Sequence, residues 1–218
     1  KRGVIDMRKM VLALASAATL AAVSAPASAA VSITYTPGSN TLGDNQVVLE
    51  DFGTTAAAVG TNSNIYTSSV ASHGTRPTGS TGGFLAVGST GSGSYTYTLA
   101  TAAPVLSFLL GTLDSYNSVL LTFVNGTTLS LTGLAITGGS GTVGSGFVDG
   151  RVTYDVQSSD ISNFISSITF SSTRAAMEID DIASAAPEPG TWLMMILGFG
   201  LAGAGLRSRR RQGKLALS

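Results

Sequence analysis

His73 is the sole histidine of the chain, and there is no cysteine. A thiolate metal site, a cysteine nucleophile, a disulfide framework and a two-histidine zinc motif are thereby excluded. His73 stands in Ser72-His73-Gly74, a polar loop sequence. A catalytic triad needs a base beside a nucleophile and an acid to orient it. Serines abound, but no Gly-x-Ser-x-Gly elbow accompanies this histidine, so it reads as a solvated loop residue. Carboxylates are the remaining chemistry. Glu50, Asp51, Glu178, Asp180 and Asp181 could on paper supply the acid pair that a glycoside hydrolase sets about 5–10 Å apart. A sugar cleft also stacks its ligand on aromatic faces, and the one tryptophan, Trp192, lies in the C-terminal segment. No enzymatic activity is therefore expected, and no catalytic residue is assigned. Calcium suits hard oxygen ligands. If the first and last strands pair, Glu50 and Asp51 approach Asp180 and Asp181 and become candidate calcium ligands. No EF-hand or nonapeptide repeat supports that reading. The same acids also serve as a solvated edge that discourages aggregation. No other cofactor is implied.

Charge is partitioned along the 218 residues. Residues 30–186 carry three arginines (Arg76, Arg151, Arg174), no lysine and ten acids, a net charge of −7. The remaining basic residues sit at the two ends, beside apolar runs. An acidic domain repels phosphate backbones, so nucleic acid is not an expected partner. Basic residues flanking apolar segments instead mark membrane topology.

Period-two alternation dominates the middle of the chain. Val31, Ile33 and Tyr35, then Tyr95, Tyr97 and Leu99, then Val152, Tyr154 and Val156 alternate with polar residues, as do Met177 and Ile179 with Glu178 and Asp180. Each pattern predicts a strand with one buried and one wet face. Val105 to Leu110 is a continuous apolar run and predicts a central strand buried on both faces. Asn125-Gly126 between Val119–Val124 and Thr127–Leu131 predicts a hairpin with a type I′ turn. Asp160 to Ser166 predicts one or two helical turns behind an aspartate cap. Glycine-rich loops separate the strands. The expected class is all-β, an antiparallel β-sandwich or jelly roll over residues 30–183, flanked by an N-terminal signal helix and a short C-terminal transmembrane helix.

The ends carry export signals. Met7-Arg8-Lys9, an apolar run from Val11 to Val23 and Ala27-Ser28-Ala29 form a secretory signal peptide over residues 1–29, with Ala27 and Ala29 as the cleavage pattern. Met7 or Met10 is the natural first residue, with residues 1–6 upstream of it. Residues 184–218 hold the hinge Pro187-Glu188-Pro189-Gly190-Thr191-Trp192, an uncharged run to Leu206, and the cluster Arg207, Arg209, Arg210 and Arg211. As a helix, Trp192 to Leu206 spans about 22 Å, short of a hydrocarbon core of roughly 30 Å. Arginine snorkelling and local thinning make up part of the deficit. Trp192 suits one interface, and the arginines act as a membrane stop held in the cytoplasm. The glycines at 198, 200, 203 and 205 allow close approach by another helix, such as that of a processing enzyme.

The order Pro187-Glu188-Pro189, Trp192, short glycine-rich span and arginine cluster resembles the PEP-CTERM sorting tail of Gram-negative bacteria. It is most similar to the Pro-Glu-Pro-x-x-Trp subclass, which continues much as Met194-Met195-Ile196 and Gly198-Phe199-Gly200 do here. Leu193 stands where the subclass commonly has alanine, and Gln212 to Ser218 extend past the usual end. The resemblance implies an exosortase-type processing enzyme as partner, with Pro187, Glu188, Pro189 and Trp192 as the sorting motif. It also implies transient anchoring in the inner membrane, delivery to the cell surface or extracellular space, and association with exopolysaccharide and biofilm. Two inner segments, Gly111-Thr112-Leu113-Asp114-Ser115-Tyr116-Asn117 and Met177-Glu178-Ile179-Asp180-Asp181-Ile182, resemble parts of exosortase-dependent surface proteins, whose jelly-roll shape is related to carbohydrate-binding modules. The expected function is a structural or adhesive surface or matrix protein. The alternative is a carbohydrate-binding module stacking sugars on Tyr35, Tyr66, Tyr95, Tyr97, Tyr116 or Tyr154; a secreted hydrolase stands third.

Overall fold

The computed structural model describes residues 30–53, 60–144, 149–186, 196–201 and 207. Eleven strands are described: β1 (Val31–Pro37), β2 (Gln46–Glu50), β3 (Asn64–Tyr66), β4 (Phe84–Val87), β5 (Gly93–Ala103), β6 (Val105–Leu110), β7 (Asn117–Phe123), β8 (Thr128–Thr132), β9 (Gly150–Val156), β10 (Ile165–Ser172) and β11 (Met177–Ala185). Their described pairings are antiparallel. One sheet runs β1-β9-β6-β11-β4-β3, with β2 also paired to β11; the other runs β5-β10-β7-β8. The all-β sandwich is as expected. Its seven- and four-stranded sheets depart from the two Greek keys of an eight-stranded jelly roll.

The apolar alternation faces the space between the sheets. Phe108 of β6 meets Phe170 of β10 edge-on at 4.9 Å between ring centroids, and Tyr154 of β9 lies 5.8 Å from Phe108. Val119, Leu121, Ile168, Val152 and Ile179 fill the same cluster. β6 is central, between β9 and β11, and five of its six residues are buried, as its unbroken apolar run predicts.

Four local expectations are corrected. The 125–126 hairpin forms, with Thr122 opposite Thr128. However, of its turn residues only Gly126 has positive φ, at 80°. A type I′ turn needs two such residues, so this is not one. Gly126 N–H donates to the Phe123 carbonyl at 2.9 Å, and the Asn125 side chain accepts from both the backbone N–H and the hydroxyl of Thr127. Between Asp160 and Ser166 only Ile161–Asn163 is helical, a single 3-10 turn capped by Asp160 accepting from Ser162 N–H at 2.9 Å. Ile165 already pairs in β10. The first and last strands do not pair: β1 pairs β9, and β11 pairs β6, β4 and β2. Finally, β11 has no wet face over Met177–Asp180, all four residues being buried. It lies inside its sheet, with loops laid over the side that alternation assigns to water.

Candidate functional site

β11 carries the acidic residues that sequence singles out, and the structure splits them into two settings. At its start Glu178 is 3% exposed. One carboxylate oxygen accepts from Thr75 N–H at 3.1 Å; the other accepts from Thr112 N–H at 3.2 Å and from the Thr112 hydroxyl. Burial pushes this carboxyl above its ordinary value, and those hydrogen bonds pull it part of the way back. The two inner segments that resemble surface proteins are stitched together here. Gly111 N–H donates to the Glu178 carbonyl at 2.9 Å, the Tyr116 hydroxyl donates to Ala175 O at 3.3 Å, and the Ser172 hydroxyl donates to Asn117 Oδ1 at 3.0 Å. Burial, then the Asp114 carboxyl beside it, lifts the Tyr116 hydroxyl to about 12, and the Arg174 guanidinium lies 5.6 Å from its ring centre.

His73 joins the same place. Ser72, His73, Thr75, Thr112, Asp114 and Glu178 line a shallow cavity of about 210 Å³. His73 Nδ1 is 2.8 Å from the Ser89 carbonyl, which can only accept, so Nδ1 carries a proton and the ring is oriented by the backbone. Gly74 is required by close approach: a Cβ there would lie 2.8 Å from Ala86 Cβ. Among the described residues no serine hydroxyl is hydrogen-bonded to His73, so the pocket does not assemble a triad. His73 is half-buried rather than a freely solvated loop residue.

Farther along β11 the candidate calcium ligands do come together, through β2 rather than the first strand: Glu50 lies opposite Ile182. Their oxygens are turned to other tasks. Glu50 accepts from Phe52 N–H and Asp51 from Gly53 N–H, both at 2.9 Å. Asp180 accepts from Asp181 N–H at 2.8 Å, and Asp181 faces Arg151 at 3.8 Å. Among the described residues no three histidine, aspartate or glutamate side chains are placed to hold a metal ion. Each of the four acids thus has an oxygen engaged by a local N–H or by the arginine.

Sequence reasoning missed the centre of this region. Arg151 of β9 is 3% exposed. It donates to the Ser107 hydroxyl and the Asp181 carbonyl, each at 3.1 Å, and twice to the Asn40 carbonyl, at 3.3 and 3.2 Å. Ser107 in turn donates to Gln46 Oε1 at 2.6 Å. The arginine thus ties β9 to β6, β11 and the segment before β2. Asp181 has a positive φ of 46° where β11 slips register against β6, and this bulge turns its carbonyl and carboxylate toward Arg151. A lone cation abutting the Val152–Val156 alternation of a lysine-free domain was the available signal. Asp180 is wholly buried, and its second oxygen has no hydrogen-bond partner; neither has the Ser80 hydroxyl. Burial drives the Asp180 carboxyl up to about 7, and the Asp181 and Asp51 charges push the same way. Ser80 lies near enough to oppose the shift without completing a hydrogen bond.

Of the candidate stacking tyrosines, Tyr154 is corrected. Tyr154 is fully buried with its hydroxyl on the Ile136 carbonyl at 3.0 Å. Tyr35, Tyr95 and Tyr97 pack partly buried against the core, and Tyr66 against Phe84. Tyr116 is half-buried beside Arg174. Of the six, only Tyr154 is withdrawn wholly from the surface; the other five are half-buried.

In the tail, residues 196–201 are helical, and Ile196, Leu197, Phe199 and Leu201 are 65%, 50%, 73% and 73% exposed. Arg207 is helical and exposed as well. These apolar residues are therefore not part of the sandwich interior. Among the described residues no helix is long and apolar enough to cross a membrane. The signal segment 1–29 with Ala27 and Ala29, and Pro187, Glu188, Pro189, Trp192, Arg209, Arg210 and Arg211, lie outside the described residues. No curated protein matches the chain. Residues 185–211, from the last residue of β11 through the arginine cluster, match the family of the PEP-CTERM protein-sorting motif, so the chain carries that motif directly behind its β-sandwich.

Proposed function

We propose that this chain is an exported surface protein whose β-sandwich is a non-catalytic structural or adhesive component of the cell surface or extracellular matrix, associated with exopolysaccharide. The PEP-CTERM match at residues 185–211 carries the reading. It makes the chain an exosortase-sorted exported protein. The signal segment directs export, the short apolar span with its arginine stop holds the chain briefly in the inner membrane, and the processing enzyme removes the tail. The exposure of Ile196, Phe199 and Leu201 supports this, since a span meant for lipid has no place in the domain's core. The structural role rests on a sandwich whose buried Glu178 and Arg151 knit loops and strands together.

The experiment compares the parent with Pro187→Ala/Glu188→Ala in a host that has the processing enzyme, by cell fractionation and intact mass. The parent should lose its tail and reach the surface or medium, and the variant should remain full length in the membrane fraction. Equal masses that both retain residues 187–218, in the same fraction, would overturn the sorting reading.

A further inference from the structure

Edge strands expose unpaired backbone groups, and proteins blunt them with polar or charged side chains. Most edges here follow that rule. The exposed side chains of β1 are Ser32, Thr34, Thr36 and Pro37, those of β8 are Thr128, Ser130 and Thr132, and those of β5 are Thr96, Thr98, Ala100 and Thr101. β2 breaks it. Val47, Val48 and Leu49 are consecutive and 45%, 41% and 41% exposed. Among the described residues only β11 pairs with β2. Beside it lies a groove of about 440 Å³, lined by Val47 and Leu49 of β2, Tyr97 and Ala100 of β5, and Ser184 and Ala185 of β11. The Leu49 carbonyl accepts from the Tyr97 hydroxyl at 3.5 Å, but among the described residues no charged side chain or proline guards the three apolar residues, and such an edge with an apolar groove along it is suited to accept another extended strand.

We propose that the occupant is β2 of a second copy of this chain, antiparallel and centred on Val48. The sequence of the strand is complementary to itself in that register. Val48 meets Val48 on the two-fold axis, Val47 meets Leu49, Gln46 meets Glu50 and Asn45 meets Asp51. Both acids thus face side-chain amides, and apolar residues face each other. Centring on Val47 instead sets Asp44 against Glu50, two like charges, and centring on Leu49 sets the carboxylates of Glu50 and Asp51 against Val48 and Val47. An isologous contact of this kind closes as a dimer and joins the two larger sheets edge to edge. The net charge of −7 on residues 30–186 opposes the approach of two copies, so association tightens as salt shortens the screening length from roughly 30 Å at 0.01 M to roughly 8 Å at 0.15 M. The contact deepens the structural role proposed above and rests on it for its purpose. Its test is independent of tail processing.

The test is sedimentation velocity of the exported protein over a concentration series at low and physiological salt, for the parent, Val48→Lys and Val48→Glu. Val48 is exposed enough to accept either side chain, and circular dichroism with thermal melting checks that both variants fold. The parent should dimerise, more tightly at the higher salt. Each charged variant alone should associate at least about tenfold more weakly, because like charges meet on the axis. An equimolar mixture of the two should recover the dimer, a rescue that a fold defect or a contact elsewhere would not give. A parent that stays monomeric throughout, folded variants that dimerise as the parent does, or a mixture without rescue overturns the proposal. So does a monomer that carries a foreign extended peptide on this edge.

Discussion

Glu178 and Asp180 sit two residues apart on one strand and are almost equally hidden from water, at 3% and 0% exposure, but their surroundings treat them oppositely. Both oxygens of Glu178 have donors from two loops. Asp180 has one donor, the next residue's N–H, and one oxygen with none. Burial raises both carboxyls; Glu178 is pulled back chiefly by its hydrogen bonds, while Asp180 reaches about 7. Depth alone therefore does not decide what a buried acid does for a fold. The donors that meet its charged form do. Around Glu178 the acid is the hub that fixes the loops at 75 and 112. Around Asp180 the hub is Arg151, its charge is answered by Asp181, and Asp180 is left over.

The largest expected effect breaks the second hub. Arg151→Met keeps much of the side chain's length and removes its donors, leaving Asp181, the Ser107 hydroxyl and the Asn40 carbonyl without their shared partner. Asp181 keeps 26% of its side chain in water, so the cost comes mainly from the orphaned neutral acceptors and sums to about 3–5 kcal/mol. Urea unfolding should show the midpoint falling by an amount in that range with the slope unchanged. A loss under about 1 kcal/mol would mean that the pair is effectively solvated.

Next comes the first hub. Glu178→Ala strips the acceptor from two backbone N–H groups, while the Thr112 hydroxyl keeps a second acceptor in the Ala176 carbonyl at 3.3 Å. The gain from no longer burying a carboxylate offsets part of the loss, so the expected destabilisation is about 2–3 kcal/mol. Hydrogen exchange should rise first at Thr75 and Thr112, while Glu178→Gln, which keeps one acceptor oxygen, should cost less. Equal losses for the two changes would show that shape and one retained acceptor contribute nothing, and that the two carboxylate oxygens act only as a unit.

Strands were the legible part of this sequence, because alternation reports directly on a half-buried pleat: Val31 to Tyr35 and Tyr95 to Leu99 follow it, and the unbroken run at Val105 reports a central strand. The tail was legible for a different reason. Its hinge, apolar span and arginines are contiguous and need no tertiary contact to be read. Glu178 and Asp180 were misread as a wet face because the loops that cover β11, around Thr75, Ser80 and Thr112, lie far away in sequence. The position of Arg151 beside the Val152–Val156 alternation was a signal, but its role was hidden for the same reason, its partners coming from Asn40, Ser107 and Asp181. Tyr154 could not be placed from sequence because an alternating tyrosine fits a core as well as a wet face, and only the sheet packing decides; it lies inside.

The smallest effect sharpens the comparison by reversing its sign. A carboxyl whose folded pKa lies above its unfolded value makes the folded state hold a proton that the unfolded state releases. The folded state is then relatively most stable below the unfolded value, and that advantage is lost as pH rises through the folded one. For Asp180 the window runs from its ordinary 3.8 to about 7. Asp180→Asn removes the titration, keeps an oxygen for Asp181 N–H and sets an amide beside the unpartnered Ser80 hydroxyl. The variant should therefore gain on the parent as pH rises from 4 to 8 and be the more stable of the two at pH 8. Chemical denaturation across that range reads it directly. Glu178, also raised, keeps a slope of the same sign in both proteins, so the difference between the two curves isolates Asp180. Parallel curves would mean that Asp180 stays ionised inside the fold and that water or a moved donor satisfies its second oxygen.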